Sequence, residues 1–145
     1  MPLLKTTITT ALGLALCLPT LGQAAEKPFD GRWSVRLVCT DTQDKNGALV
    51  KGYEYTFFVS IQDGVLQGEY GAPGHPASVS YTGKVSDDGT AEVRAAGTTG
   101  RSDYTVGRVA QGTQYGYTLH GKLAAKHGEL ERREVRPCTA ILDRN

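Results

Sequence analysis

Residues 31–39 read Gly-Arg-Trp-Ser-Val-Arg-Leu-Val-Cys, and this stretch decides the fold because large apolar side chains recur at every second position. One face of an extended chain would carry four of them: Trp33, Val35, Leu37 and Cys39. A period of two is typical of a β-strand with one buried face. The predicted strand also ends in a cysteine, so the partner of that cysteine indicates which strand lies beside it.

The same alternation recurs along the rest of the chain and predicts eight strands with short connections. They lie near 31–40, 53–62, 65–70, 77–86, 90–96, 103–110, 114–125 and 130–142. Asp63-Gly64 and Asp88-Gly89 mark tight hairpin turns, and Gln111-Gly112 and His127-Gly128 mark weaker ones. Short connections favour sequential antiparallel pairing, and eight such strands lose their exposed edges by closing into an up-and-down barrel. An open two-sheet sandwich is the alternative.

The N-terminal segment predicts export. A lysine precedes an uncharged apolar run that is too short to span a membrane, and small residues follow at Ala24 and Ala25. We therefore expect a signal peptide over residues 1–25 that is cleaved near Ala24 or Ala25. A single domain over residues 26–145 would then be periplasmic or secreted. A lipoprotein anchor on Cys17 is the less favoured alternative.

Removal of the signal peptide leaves Cys39 and Cys138, an even pair in an oxidising compartment, which predicts one disulfide. If the two cysteines lie opposite each other in an antiparallel ladder, the register of the first and last strands is fixed. The pairs are then Leu37 with Ala140, Val35 with Leu142, and Trp33 with Arg144. Apolar side chains meet along the inner face and Arg144 lies over the Trp33 indole. The disulfide therefore favours a closed barrel independently of the strand count.

Charge and motifs exclude several classes of function. The chain has 16 Lys and Arg against 15 Asp and Glu, so it presents no broad field to nucleic acid or to an anionic membrane surface. No two of its three histidines share metal-ligand spacing, and no serine lies in a nucleophile elbow. The sequence therefore predicts no metal, no cofactor and no enzymatic activity.

Tyrosines are the strongest candidates for a binding site, because they fall on the apolar register of their strands. The ones expected to line a small-ligand site are Tyr55, Tyr70, Tyr81 and Tyr117. The alternative, which we favour, is that they fill the core and that their hydroxyls reach the rim.

The last predicted strand conflicts with the simple pattern, because its inward register would include charged residues. Arg132, Glu134 and Arg136 would then border a wet pocket, since buried charges must be paired or solvated. A bulge near Pro137 that turns them outward is the favoured alternative. We expect these three side chains to border whatever polar site exists.

Two groups of motifs resemble known families. Gly31-x-Trp33 at the start of a small exported barrel resembles the calycins, which include lipocalins and avidins. That resemblance implies that Trp33 closes one end and that Arg144 packs on it. Residues 63–70 resemble the second avidin hairpin, but Val35 stands where an avidin carries a ligand-binding asparagine, so biotin binding is not implied. Nearly the whole mature chain resembles a family of small uncharacterised exported proteobacterial proteins through three motifs: Gly31-Arg32-Trp33, Cys39 and Arg136-Pro137-Cys138-Thr139.

These observations favour a non-catalytic, monomeric, exported module that binds a small amphipathic ligand or a protein partner. An inhibitor of an exported hydrolase, such as a protease or a lysozyme-like enzyme, is the alternative. In that case residues 26–30 or 71–76 would insert into the active site of the hydrolase.

Overall fold

A closed antiparallel barrel of eight strands forms the fold of the computed structural model, which describes residues 27–145. The strands are β1 (Gly31–Cys39), β2 (Thr42–Gln43), β3 (Leu49–Val50), β4 (Tyr53–Gln62), β5 (Val65–Tyr70), β6 (Val79–Val85), β7 (Thr90–Thr98), β8 (Gln114–Leu123), β9 (His127–Arg132) and β10 (Cys138–Arg144). β2 and β3 form a separate hairpin, and the other eight strands form the barrel. This confirms the predicted up-and-down barrel and excludes the sandwich. The predicted signal peptide lies outside the described residues.

β1 and β10 close the barrel in the register that the cysteines predict. Cys39 lies opposite Cys138, and the ladder continues to the pair of Trp33 with Arg144. The two sulfur atoms are bonded at 2.04 Å, so the predicted disulfide is confirmed. Because β1 also pairs with β4, the first strand has neighbours on both sides and no barrel edge is exposed.

Two of the predicted strands are wrong. One does not form and the other is two separate strands, so the total of eight barrel strands is unchanged. Residues 103–110 form no strand; they contain part of a 3₁₀ turn, Ser102–Tyr104, followed by positive φ angles at Gly107 and Arg108. Residues 130–142 contain the end of β9 and the start of β10, separated by a bend over residues 133–137. His127-Gly128, predicted as a turn, begins β9.

One end of the barrel is plugged, and we call it the closed end. Trp33 is fully buried there, and its indole N–H donates to the Phe29 carbonyl at 2.9 Å. The Arg144 guanidinium carbon lies 5.9 Å from the centre of the Trp33 ring, and its Nη1 donates to the Pro28 carbonyl at 3.0 Å. The carboxylate of Asp30 accepts bonds from the backbone of the β4–β5 turn. The segment before β1 is therefore folded across this end.

No helix in the described part of the chain has the length and apolar character of a membrane span.

Candidate functional site

The opposite end of the barrel, which we call the mouth, is lined by tyrosines. Alternation places them on the inner face, and each lies on the half of its strand nearest the mouth. Four of them are only partly buried against the core: Tyr53, Tyr55, Tyr70 and Tyr115. The mouth is thus the end where aromatic side chains remain accessible to a ligand.

Hydroxyl groups form a chain across the barrel beneath the mouth. The Tyr81 hydroxyl lies 2.9 Å from that of Tyr55 and 2.7 Å from that of Tyr117. Tyr81 and Tyr117 are buried. Burial raises the pKa of all three hydroxyls above the usual value for tyrosine, so they stay neutral at physiological pH. The three hydroxyls therefore bond to one another and form a floor beneath the mouth.

The aromatic rings form two stacks on different sides of the mouth. On β4 and β5, the rings of Tyr55 and Tyr70 are stacked with their centres 4.3 Å apart. On β8, the rings of Tyr115 and Tyr117 lie parallel with their centres 6.0 Å apart. Stacking restricts the rotation of each ring, so the walls of the mouth are fixed before a ligand arrives.

A groove of about 360 Å³ crosses the rim between Tyr70 and Tyr115. Its other polar walls come from Ser78, Ser80, Thr98 and Gln114, with the carboxylate of Glu69 at one side, and the exposed loop after β5 forms its outer side. The volume lies within the range of small-ligand sites, and the mixture of two aromatic rings with a few polar groups is typical of them.

Arg132 brings a positive charge into the mouth. It is the last residue of β9, and its guanidinium carbon lies 4.1 Å from the centre of the Tyr117 ring. Its Nε donates to the Glu134 carbonyl at 3.1 Å. Within residues 27–145 it forms no ion pair with a carboxylate. The stack of ring and guanidinium gives the mouth a cationic edge.

Arg136 lies beside the disulfide and ties the surrounding loops together. Only 3% of it is exposed, and its guanidinium donates to the carbonyls of Thr40, Lys51 and Tyr104 at 2.5 to 3.2 Å. Those carbonyls belong to the segments on either side of the β2–β3 hairpin and to the β7–β8 connection. Arg136 therefore fastens two covering loops at the mouth, a role that no sequence pattern signals.

The structure separates the charged residues that the sequence grouped together. Arg132 lies at the mouth, Arg136 lies beneath the loops, and Glu134 is exposed. Neither the continuous inward row nor the bulge near Pro137 is correct, because the chain leaves the sheet between β9 and β10. Val135, in that bend, has a φ of 61° and is 75% exposed. A β-branched residue in this conformation cannot continue a strand.

Four residues at the mouth were missing from the predicted site. Tyr115 shares the inward register that singled out the other tyrosines, so alternation was a sufficient signal for it. The other three are Ser78, Thr98 and Gln114, which lie at strand ends. A side chain there is exposed because it is at the rim, whichever face the alternation assigns to it.

The segments predicted to insert into a hydrolase lie at opposite ends of the barrel. Residues 27–30 are engaged at the closed end by the bonds described above, and residues 71–76 form an exposed loop beside the groove. Inhibition stays a prediction. Residues 27–145 also contain no group of three or more His, Cys, Asp or Glu side chains placed to hold a metal ion.

No protein-family model, curated protein or solved structure matches this chain.

Proposed function

We propose that this protein is an exported, monomeric, non-catalytic module that binds a small amphipathic ligand at the mouth of a calycin-like barrel. The observation that carries the proposal is the difference between the two ends. One end is plugged by Trp33, Arg144 and the segment before β1, while the other presents partly exposed tyrosines around a groove.

The aromatic walls supply affinity for the apolar part of such a ligand. Tyr70 and Tyr115 face the groove, and each already stacks on a second tyrosine. A flat ligand that covers about 100 Å² of apolar surface gains about 2.5 kcal/mol from burial, and little of it is lost to ordering because the rings are fixed.

The chemistry of the mouth favours binding over catalysis. Burial raises the pKa of Tyr53 and Tyr115 as well, so these phenols are poor proton donors and acceptors at neutral pH. Export is supported by the predicted signal peptide and by the disulfide, because such bonds persist in oxidising compartments.

A fluorescence titration with N-phenylnaphthylamine, a neutral probe that brightens in apolar sites, tests the proposal. The disulfide-intact protein should bind the probe saturably. Tyr70→Ala or Tyr115→Ala should weaken binding about tenfold, which corresponds to about 1.4 kcal/mol for one aromatic wall.

Phe58→Ala is the matched control, because Phe58 is 48% exposed on the outer wall of the barrel. It removes an aromatic ring and leaves the mouth intact, so probe affinity should not change. Absence of binding to the wild type, or an equal loss in the Phe58 variant, would contradict binding at the mouth. Native mass spectrometry of the exported protein, purified without denaturant, would identify a ligand that it retains.

A further inference from the structure

We propose that the mouth contains an anion subsite centred on Arg132, so that the ligand is a flat amphipathic molecule with one acidic group. The acidic group is a carboxylate, sulfonate or phosphate, and the flat body lies between Tyr70 and Tyr115. This inference rests on the proposed function and adds the chemical class of the ligand.

Arg132 has no carboxylate partner within residues 27–145, whereas the arginine next to it in sequence has one. Arg133, the next residue, lies 2.9 Å from the Glu131 carboxylate, and Arg101 lies 2.8 Å from that of Asp103. Within the described residues, the contacts of Arg132 are instead with neutral groups, the Tyr117 ring and a backbone carbonyl. A partly buried guanidinium without a counter-ion is a strong site for an acidic group, since bonds between two charged partners exceed neutral ones.

A second guanidinium, that of Arg136, lies 5.1 Å from the centre of the Tyr53 ring at the mouth. Arg136 is buried, all of its bonds go to carbonyl oxygens, and its Nε has no hydrogen-bond partner. Burial is the main cause that lowers the pKa of Arg136; the charge of Arg132 acts in the same direction, whereas Tyr53 and the Asp41 carboxylate act against it. The two guanidinium groups therefore repel each other, and an anion at the mouth relieves that repulsion.

Two tyrosine rings link the cationic edge to the groove. Arg132 lies on the Tyr117 ring, Tyr117 is stacked against Tyr115, and Tyr115 lines the groove. The field of Arg132 also reaches the hydroxyls of Tyr53 and Tyr115, which stay protonated and can donate hydrogen bonds. An acidic group at Arg132 thus leaves the attached ring system facing the aromatic walls.

Two probes with the same ring system distinguish the anion subsite from binding of the ring system at the mouth. Anilinonaphthalenesulfonate and N-phenylnaphthylamine share a phenylaminonaphthalene body, and only the first carries a sulfonate. In low-salt buffer the wild type should bind the sulfonate probe about tenfold or more tightly than the neutral probe, and added salt should reduce the difference.

Arg132→Gln should weaken the binding of the sulfonate probe alone, so that the two probes bind with similar affinity. Arg132→Lys should recover part of the preference for the sulfonate probe. Arg133→Gln is the matched control, because that side chain is exposed and paired with Glu131. Near-ultraviolet circular dichroism checks that each variant keeps the native packing, since disordered barrels also bind the sulfonate probe.

If both probes bind equally, or if Arg132→Gln leaves their ratio unchanged, the anion subsite is wrong while the binding module stands. If neither probe binds the native protein, the proposed function and the subsite both fail.

Discussion

Breaking the Cys39–Cys138 disulfide should destabilise the barrel strongly without unfolding it. The bridged residues are 99 apart in sequence, so the bond closes most of the domain into one loop in the unfolded chain. The chain-entropy model gives about 4.7 kcal/mol for a loop of about 100 residues, and measured values run lower. We therefore expect the free energy of unfolding to fall by about 2 to 5 kcal/mol.

That loss corresponds to a large shift in melting temperature. A domain of about 120 residues has an unfolding entropy of about 250 cal/mol/K at its midpoint, so Tm should fall by roughly 8 to 20 °C. The reduced barrel should still fold at 25 °C, because seven residue pairs join β1 to β10 without the sulfur link.

Urea unfolding followed by the fluorescence of Trp33, the single tryptophan, measures the effect. The oxidised protein, the protein reduced by a phosphine, and a Cys39→Ala/Cys138→Ala variant should be compared. The reduced protein isolates the covalent link, whereas the variant also leaves two small cavities at buried positions.

A loss below about 1 kcal/mol on reduction would refute the loop-entropy argument. A reduced chain that is unfolded in the absence of urea would show that the β1–β10 ladder cannot close the barrel alone.

Three further substitutions test the packing and the surface electrostatics. Gly97→Ala would place a Cβ 2.2 Å from the Ser78 carbonyl oxygen, so it should lower the free energy of unfolding in urea by about 1 to 3 kcal/mol. Gly116→Ala is the control: its Cβ would have its nearest neighbour 3.4 Å away, so the loss should be less than about 1 kcal/mol. The hydrogen bond that the His127 ring donates to the Asp143 carboxylate raises the pKa of His127 in the folded state. This histidine therefore stabilises the fold below its unfolded pKa of about 6.5, and the stabilisation is lost as pH rises through the folded pKa. His127→Gln should therefore lower Tm at pH 5 but not at pH 9; an equal effect at both pH values would contradict the ion pair.

The strands were predictable because the alternation of apolar side chains is a local property of the sequence. Their closure into a barrel was predictable because one cysteine pair links the first strand to the last. Alternation of apolar side chains is set by the pleat of the strand, so it identified the start of β1 and the inward tyrosines. The cysteine pair then gave the register of β1 with β10 on the assumption that the two residues lie opposite each other, which they do.

The sequence misled where alternation continued through segments that are not strands. Residues 103–110 and 133–137 keep a mixture of apolar and polar side chains, but positive φ angles at Arg108 and Val135 take both segments out of the sheet. Such angles are decided by tertiary contacts, and no glycine marks either of those two positions.

The candidate site was partly predictable for the same reason. The period placed Tyr55 and Tyr81 inside the barrel, whereas the bonds of Arg136 to three distant carbonyls depend on how the covering loops fold. The isolation of Arg132 from carboxylates is also a property of the folded surface, since Glu131 and Glu134 flank it closely in sequence.

The most direct measurement of binding at the mouth is an NMR titration of the isotope-labelled protein with anilinonaphthalenesulfonate. The Trp33 indole N–H marks the closed end, because it is bonded to the Phe29 carbonyl, and the side chains of Tyr70, Tyr115 and Arg132 mark the mouth. We expect saturable shifts of the mouth signals and an unmoved indole signal. Shifts centred on Trp33 or on the outer wall, with the mouth unchanged, would contradict it.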